Sequence, residues 1–154
     1  MKVYLIGSLR NPEVPRIAAQ LEAANFNVFQ AWYSAGPTAD DSWRDHEKSQ
    51  GHDFVEALQG DAARHVFEFD KHHLETSDAV VLLLPAGKSG HMELGWALGG
   101  CGMKGKLPGF ILLDSPERWD VMYAFATGVA RNVNELLRML RSVDMQQAVM
   151  RRTS

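Results

Sequence analysis

Residues 77–98 read SDAVVLLLPAGKSGHMELGWAL and contain the strongest structural signal in the chain. The apolar run at 79–84 has the length and composition of a strand buried on both faces of a sheet. A short turn with two glycines follows, and residues 91–98 then read as a helix that carries Glu93 in its first turn. This order predicts a parallel sheet with Glu93 at its carboxyl edge, where α/β proteins bind small ligands.

Strand-like runs alternate with helical patterns along the rest of the chain. Further strands are predicted at residues 3–6, 28–32 and 110–113, and helices at 12–24, 53–76 with a break near Gly60, 117–126 and 133–143. This alternation predicts an α/β fold: a single-domain, doubly wound parallel sheet of the Rossmann or flavodoxin type with helices on both faces. The domain is expected to cover residues 1–145, and residues 146–154 are expected to form a frayed tail.

Residues 33–52 are rich in Gly, Pro, Asp, Ser and Lys, a composition typical of a connection between core elements. Structureless connections of this length are uncommon in compact domains unless they have a function. We therefore expect a long loop here and regard it as a candidate lid over a binding site.

Composition restricts the class of partner. The chain of 154 residues has 16 basic and 19 acidic side chains and a formal net charge of −3, so it lacks the positive excess that binds nucleic acid polymers or anionic membranes. No apolar run approaches membrane-spanning length, and the amino terminus does not read as a secretory signal. A single cysteine, Cys101, excludes an internal disulfide. We expect a cytoplasmic protein with a small-molecule ligand.

Two loops are expected to meet at the carboxyl edge, because parallel strands all end on the same edge of a sheet. They supply the small and polar residues of the expected substrate-binding edge: Gly7, Ser8, Arg10, Ser89 and Gly90. Glycine lets a ligand approach the backbone, helix N-termini offer unpaired N–H groups to an anion, and the guanidinium of Arg10 is suited to phosphate. The sequence therefore predicts an anion-binding edge beside Glu93.

Three segments carry a resemblance to a known family. They are residues 4–10, YLIGSLR; Asp70, which stands eight residues before Asp78; and residues 90–98, GHMELGWAL. These segments resemble the nucleoside 2-deoxyribosyltransferases and their relatives, the 2-deoxynucleoside 5′-phosphate N-hydrolases. The resemblance extends from the first strand to about residue 132, and its opening segment looks more like the hydrolases.

The resemblance implies catalytic roles for three side chains. Glu93 would be the nucleophile, Asp70 would hold and protonate the base, and Tyr4 would steady the nucleophile. A carboxylate can capture the oxocarbenium-like sugar as a covalent glycosyl-enzyme before water or a second base completes the reaction. We expect the helix dipole to hold Glu93 ionised, whereas Asp70 must keep or share a proton.

The turn at residues 85–90 favours hydrolysis of a nucleotide. The transferases place a further carboxylate in this loop, whereas PAGKSG contains no acid. The hydroxyl and basic side chains at the edge are suited to a 5′-phosphate instead: Ser8, Arg10, Lys88 and Ser89. The expected function is an N-glycosidase that cleaves the base–sugar bond of a nucleoside 5′-monophosphate, expected to be a deoxynucleotide. Base exchange between deoxynucleosides and a non-catalytic nucleotide sensor remain alternatives.

The resemblance also implies a homodimer with a shared pocket, because a neighbouring subunit completes the pocket in these relatives. The corresponding region is residues 120–125, DVMYAF, where Met122 and Tyr123 are the candidate contributors. No cofactor is predicted.

Each role also has a structural alternative. Gly90-x-x-Glu93 has the spacing of a degenerate capping box, and Tyr4 has the character of a core aromatic. Two ligand motifs are rejected, and with them a metal site. Residues 100–106 approach a phosphate loop but are followed by Leu107 instead of Ser or Thr, and His91-x-Glu93 lacks the paired cysteines of a zinc deaminase.

Overall fold

The computed structural model describes residues 1–100, 105–113 and 119–153. In this part of the chain, five parallel strands form one sheet in the order β2-β1-β3-β4-β5. The strands are β1 Lys2–Ile6, β2 Asn27–Phe29, β3 Ala79–Leu83, β4 Gly109–Leu112 and β5 Gly128–Ala130. The α-helices are α1 Val14–Ala23, α2 Ala39–Ser49, α3 Phe54–Gln59, α4 Asp61–Glu75, α5 Lys88–Gly99 and α6 Val133–Thr153, with 3₁₀ helices at Ala31–Ala35 and Val121–Phe125. The expected α/β fold with a doubly wound parallel sheet is confirmed.

Helices cover both faces of the sheet, so the central strands β1, β3 and β4 are almost completely buried. Side chains alternate across the sheet, as the pleat requires. Val3 and Leu5 pack in the layer that contains α1 and α6, whereas Tyr4 and Ile6 pack in the layer that contains α4 and α5. The sheet geometry thereby places Tyr4 on the face covered by α4 and α5.

The chain order reverses between β1 and β3. The chain leaves β1 for the outer strand β2 and later returns to β3 on the opposite side of β1. Open parallel sheets bind ligands outside the carboxyl ends of the strands at such a switch point. In this protein those ends are Ile6 and Leu83, followed by residues 7–10 and 84–87.

Residues 33–52 do not form the long loop that their composition predicts. The end of the first 3₁₀ helix and the whole of α2 lie within this segment. None of the residues of α2 is buried, so the helix has no apolar face that periodicity would reveal. The spaced pair Asp41 and Arg44, whose side chains are 2.9 Å apart, is the local signal that indicates a helix.

The carboxyl-terminal third differs most from the prediction. Within the described residues of the helix expected at 117–126, only the 3₁₀ helix Val121–Phe125 forms, and residues 114–118 lie outside the described part. The short strand β5 was not predicted. Cys101 and most of the segment 100–106 also lie outside the described residues.

Helix α6 continues to Thr153, through residues expected to be frayed. Two contacts tie this extension to the start of β3. The Gln147 Nε2 group donates to the carbonyl oxygen of Asp78 over 3.1 Å, and Arg151 Nη2 lies 3.4 Å from Asp78 Oδ1. These non-local partners explain why the sequence did not reveal the end of the helix. Among the described residues, no helix combines the length and the apolar character needed to cross a membrane.

Packing within the fold requires a glycine at position 90. A Cβ atom at this buried position would lie 3.0 Å from Ile6 Cγ2 and 3.1 Å from Leu82 Cδ1. Gly7 is similar, because its Cβ would lie 3.1 Å from Val14 Cγ2 and 3.3 Å from the Trp32 ring. Both glycines therefore allow a close approach between elements of the fold.

Substitution of Gly90 tests this packing. We expect Gly90→Ala to destabilise the protein by about 1–3 kcal/mol, because Ile6 and Leu82 are fully buried and cannot move aside. Gly95→Ala is the matched control in the same helix, since no atom lies within 4 Å of a Cβ there. The control should gain about 0.5–1 kcal/mol from helix propensity. Urea unfolding of both variants measures the difference, and equal stability would contradict the packing role.

Candidate active site

Tyr4 belongs both to the core around the sheet and to the candidate site. Its side chain is only 1% exposed, and its ring stacks on Phe29 with 5.2 Å between centroids. The hydroxyl interacts with the Glu93 carboxyl group, and each affects the pKa of the other. Burial, followed by the charges of Glu93 and Asp70, raises the pKa of Tyr4 above its usual value. Tyr4 therefore stays neutral and acts as a donor toward Glu93.

Glu93 lies on α5, half-buried against the sheet. Burial, followed by the charge of Asp70, raises the pKa of Glu93 to about 7, and the interaction with Tyr4 opposes this shift. The side chain is thus balanced between its two protonation states near neutral pH. A carboxyl group perturbed in this way is typical of functional sites, although buried structural carboxylates show the same behaviour.

The expectation that the helix dipole holds Glu93 ionised is wrong. Helix α5 begins at Lys88, so Glu93 lies in the second turn, where the dipole has little effect. The N-cap residue is Gly87, which has no capping side chain, so Gly90 and Glu93 do not form a capping box. Burial is the largest influence on the carboxyl group and raises its pKa.

Asp70 is the second carboxyl group of the site. It lies half-buried on α4, and burial raises its pKa. Its charge acts on both Glu93 and Tyr4, so the structure brings together the three side chains assigned to catalysis from the resemblance. Two neighbouring carboxyl groups do not readily ionise together, and their titrations are coupled. In residues 1–100, 105–113 and 119–153, no three His, Cys, Asp or Glu side chains could hold a metal ion.

The side chains expected to bind phosphate lie at the carboxyl edge, and each of them makes different contacts. Ser8 Oγ accepts a hydrogen bond from the backbone N–H of Arg10 over 3.2 Å, and Ser89 is exposed in the first turn of α5. Arg10 Nη2 donates to Asp41 Oδ2 over 2.7 Å. Across the described ranges, no hydrogen bond links these side chains to the carboxyl pair. Sequence reasoning missed Asp41, which is 31 residues away from Arg10.

Tyr123 lies beside the start of α5 in the same chain. His91 Nδ1 is 2.8 Å from the carbonyl oxygen of Gly87, which can only accept, so the ring proton is on Nδ1. His91 Nε2 therefore accepts from the Tyr123 hydroxyl over 3.2 Å, and the two rings stack with 5.9 Å between centroids. Met122 is 60% exposed. His91, which the sequence analysis gave no role, positions this segment.

No protein-family model matches the chain, and no curated protein matches it. Solved structures do match. The 2-deoxyribosyltransferase of Bacillus psychrosaccharolyticus is 16% identical with a TM-score of 0.56, and the match covers 89% of this chain and 90% of that one. The CMP N-glycosidase of Clostridium botulinum is 16% identical with a TM-score of 0.51, over 92% of this chain and 98% of that one. The chain thus shares the fold of these two proteins over most of its length, in agreement with the resemblance seen in the sequence.

The raised pKa of Glu93 has a consequence for stability. The pKa is about 7 in the folded protein and 4.5 without its surroundings, so the folded state binds more protons between these values. Stability is therefore lost as the pH rises through this window. Glu93→Gln removes the cost of ionising this carboxyl group in the folded protein. It should therefore increase the free energy of unfolding by about 1–3 kcal/mol at about pH 8, with a smaller gain at about pH 5.

Urea unfolding at both pH values measures this difference. Glu22→Gln, an exposed substitution on α1, is the control and should show no such pH dependence. A gain for Glu93→Gln that is independent of pH would contradict the buried, protonatable state of Glu93.

Proposed function

We propose that the protein is an N-glycosidase that hydrolyses the base–sugar bond of a nucleoside 5′-monophosphate, with Glu93 as the nucleophile. The observation that carries this proposal is the grouping of Glu93 with Asp70 and the neutral donor Tyr4, between α4, α5 and β1. Further support comes from the fold, which is shared with a 2-deoxyribosyltransferase and a CMP N-glycosidase.

The two carboxyl groups would divide the chemistry between them. The ionised carboxylate of Glu93 attacks the sugar C1′, and the electron pair of the C1′–N bond leaves with the base, which takes a proton from Asp70. Water then attacks C1′, its proton passes to Asp70, and the bond between C1′ and Glu93 breaks. Both side chains return to their starting states, and free base and sugar 5-phosphate are the products.

The electrostatics of the site favour the protonation states of this reaction only in part. The reaction needs Glu93 ionised and Asp70 protonated. Burial raises the pKa of Asp70, which favours its protonated form. The interaction with Tyr4 lowers the pKa of Glu93 relative to what burial alone would produce, so it favours a negative charge on Glu93. The charge of Asp70 nevertheless raises the pKa of Glu93, so the pair favours the proton on Glu93, and the proposal requires that substrate binding shifts it to Asp70.

The substrate phosphate is proposed to bind at the carboxyl edge. No side chain in the described part of the chain caps the amino terminus of α5, so its first N–H groups are available to an anion. Ser89 is exposed in the same turn, and Ser8 and Arg10 follow β1 at the neighbouring strand end. We assign these three side chains to the 5′-phosphate.

Base exchange between deoxynucleosides is the second candidate reaction. The fold likeness to a 2-deoxyribosyltransferase favours it, and the same Glu93 intermediate would serve it. The turn at residues 85–90 contains no carboxylate and favours the hydrolase. The two reactions differ only in whether water or a base attacks the glycosyl-enzyme.

We also propose that the chain forms a homodimer with a shared pocket. The large exposed apolar side chains include six on α3 and α4 and three on the second 3₁₀ helix: Phe54, Val55, Leu58, Val66, Phe67, Phe69, Val121, Met122 and Phe125. Exposed apolar surface of this kind marks an interaction site in many proteins. Met122 would reach the pocket of the partner subunit.

A nucleotide screen tests the proposed reaction. Ribo- and deoxyribonucleoside 5′-monophosphates of the common bases are incubated with the protein, with and without a free acceptor base, and base release is followed by HPLC. We expect hydrolysis that Glu93→Gln lowers about 10⁴-fold and Asp70→Asn about 10²- to 10⁴-fold. The rate should pass through a maximum and fall as the pH rises above about 7, because Glu93 must be ionised while Asp70 keeps its proton. Release of base only with an acceptor would indicate the transferase, and binding without any turnover would indicate a sensor.

Light scattering tests the dimer. The wild-type protein should have twice the mass of one chain, and Phe67→Glu should yield monomers with lower activity, because the shared pocket is lost. Leu58→Ala keeps the apolar character at a neighbouring position and should remain dimeric. A wild-type monomer with full activity would contradict the shared pocket.

A further inference from the structure

Asp41 pairs with the guanidinium of Arg10, which the proposed function assigns to the substrate phosphate. Its Oδ2 atom accepts from Arg10 Nη2 over 2.7 Å, and its Oδ1 atom accepts from Arg44 Nη1 over 2.9 Å. A carboxylate and a phosphate compete for the same guanidinium, because each offers a pair of negatively charged oxygens to its nitrogen fork. A phosphate that binds Arg10 through Nη2 must therefore displace Asp41.

The ion pair between Asp41 and Arg10 also connects α2 to the loop that follows β1. In the described part of the chain, it is the one hydrogen bond between side chains that joins α2 to a residue outside the segment 36–52. None of the residues of α2 is buried. The indole N–H of Trp43 is inaccessible and has no acceptor among the described residues, which costs about 1–3 kcal/mol. Hydrogen bonds between side chains therefore contribute little to the attachment of α2.

We propose that Asp41 is a specificity-determining residue that competes with the substrate phosphate for Arg10. The inference rests on the proposed function, because it requires that Arg10 binds the 5′-phosphate. A nucleoside without phosphate leaves the pair of Arg10 and Asp41 intact. A nucleoside 5′-monophosphate replaces Asp41 on Arg10, and α2 is then released from its tie to the loop after β1. Asp41 lowers the affinity for phosphorylated ligands selectively.

The magnitude follows from the exposure of the pair. Arg10 is 64% exposed and Asp41 is 42% exposed, so solvent screens their attraction. Exposed ion pairs contribute little, and removal of the competing charge should strengthen phosphate binding by about two- to fivefold. A change of this size is within the precision of calorimetry.

Binding is measured by calorimetry in the Glu93→Gln background, so that turnover does not consume the ligand. The probes are the nucleoside 5′-monophosphate with the fastest base release in the screen and the corresponding nucleoside. Asp41→Asn should lower the Kd of the monophosphate about two- to fivefold and leave the Kd of the nucleoside unchanged. Asp45→Asn is the matched control: Asp45 lies on the same helix and pairs with Arg44 at 2.8 Å, but it has no contact with Arg10. It should change neither value.

A double-mutant cycle assigns the effect to Arg10. Arg10→Ala should weaken binding of the monophosphate, and Asp41→Asn should have no further effect once Arg10 is absent. The inference is overturned if Asp41→Asn and Asp45→Asn act alike, or if Asp41→Asn strengthens binding without Arg10. In both cases the proposed function stands, provided that the monophosphate binds through Arg10 and is hydrolysed. If no nucleotide binds or is hydrolysed, the proposed function and the inference both fail.

Discussion

The site depends on the interaction between a buried tyrosine and a half-buried carboxyl group. Tyr4 is held by the sheet, so its hydroxyl has a fixed position toward which Glu93 is directed. Burial and Asp70 act against ionisation of Glu93, and Tyr4 acts in its favour. Ionisation of Glu93 is therefore unfavourable, and the neighbouring Tyr4 hydroxyl offsets part of its cost. Groups maintained at a cost in stability are expected where function requires them.

The position of this interaction follows from the architecture. Because side chains alternate along β1, Tyr4 and Ile6 share the face toward α4 and α5. Gly90 allows α5 to approach Ile6 and Leu82, and Glu93 lies about one turn further along the same helix. The close packing of α5 on the sheet therefore also determines the position of Glu93. Arg10, by contrast, lies in an exposed loop and takes its partner from the weakly packed helix α2.

The sequence was sufficient for the sheet and for the grouping of Tyr4, Asp70 and Glu93. Buried strands have apolar runs that local pattern reveals, and the motif resemblance pointed to three residues that the structure brings together. The sequence was insufficient to predict α2, which buries no apolar face, and the start of α5, which has no capping side chain. The pKa of Glu93 and the pair of Arg10 with Asp41 depend on contacts between distant parts of the chain, which no local pattern encodes.

The most direct test of the proposed nucleophile is to trap its covalent intermediate. The protein is mixed with the monophosphate that it hydrolyses, denatured in acid within the first turnover, digested and analysed by mass spectrometry. The account predicts that the peptide containing Glu93 gains the mass of the sugar 5-phosphate, with fragment ions that assign the bond to the Glu93 carboxylate. An adduct on a different residue, or free base formed in the first turnover with Glu93 unmodified, would contradict the account.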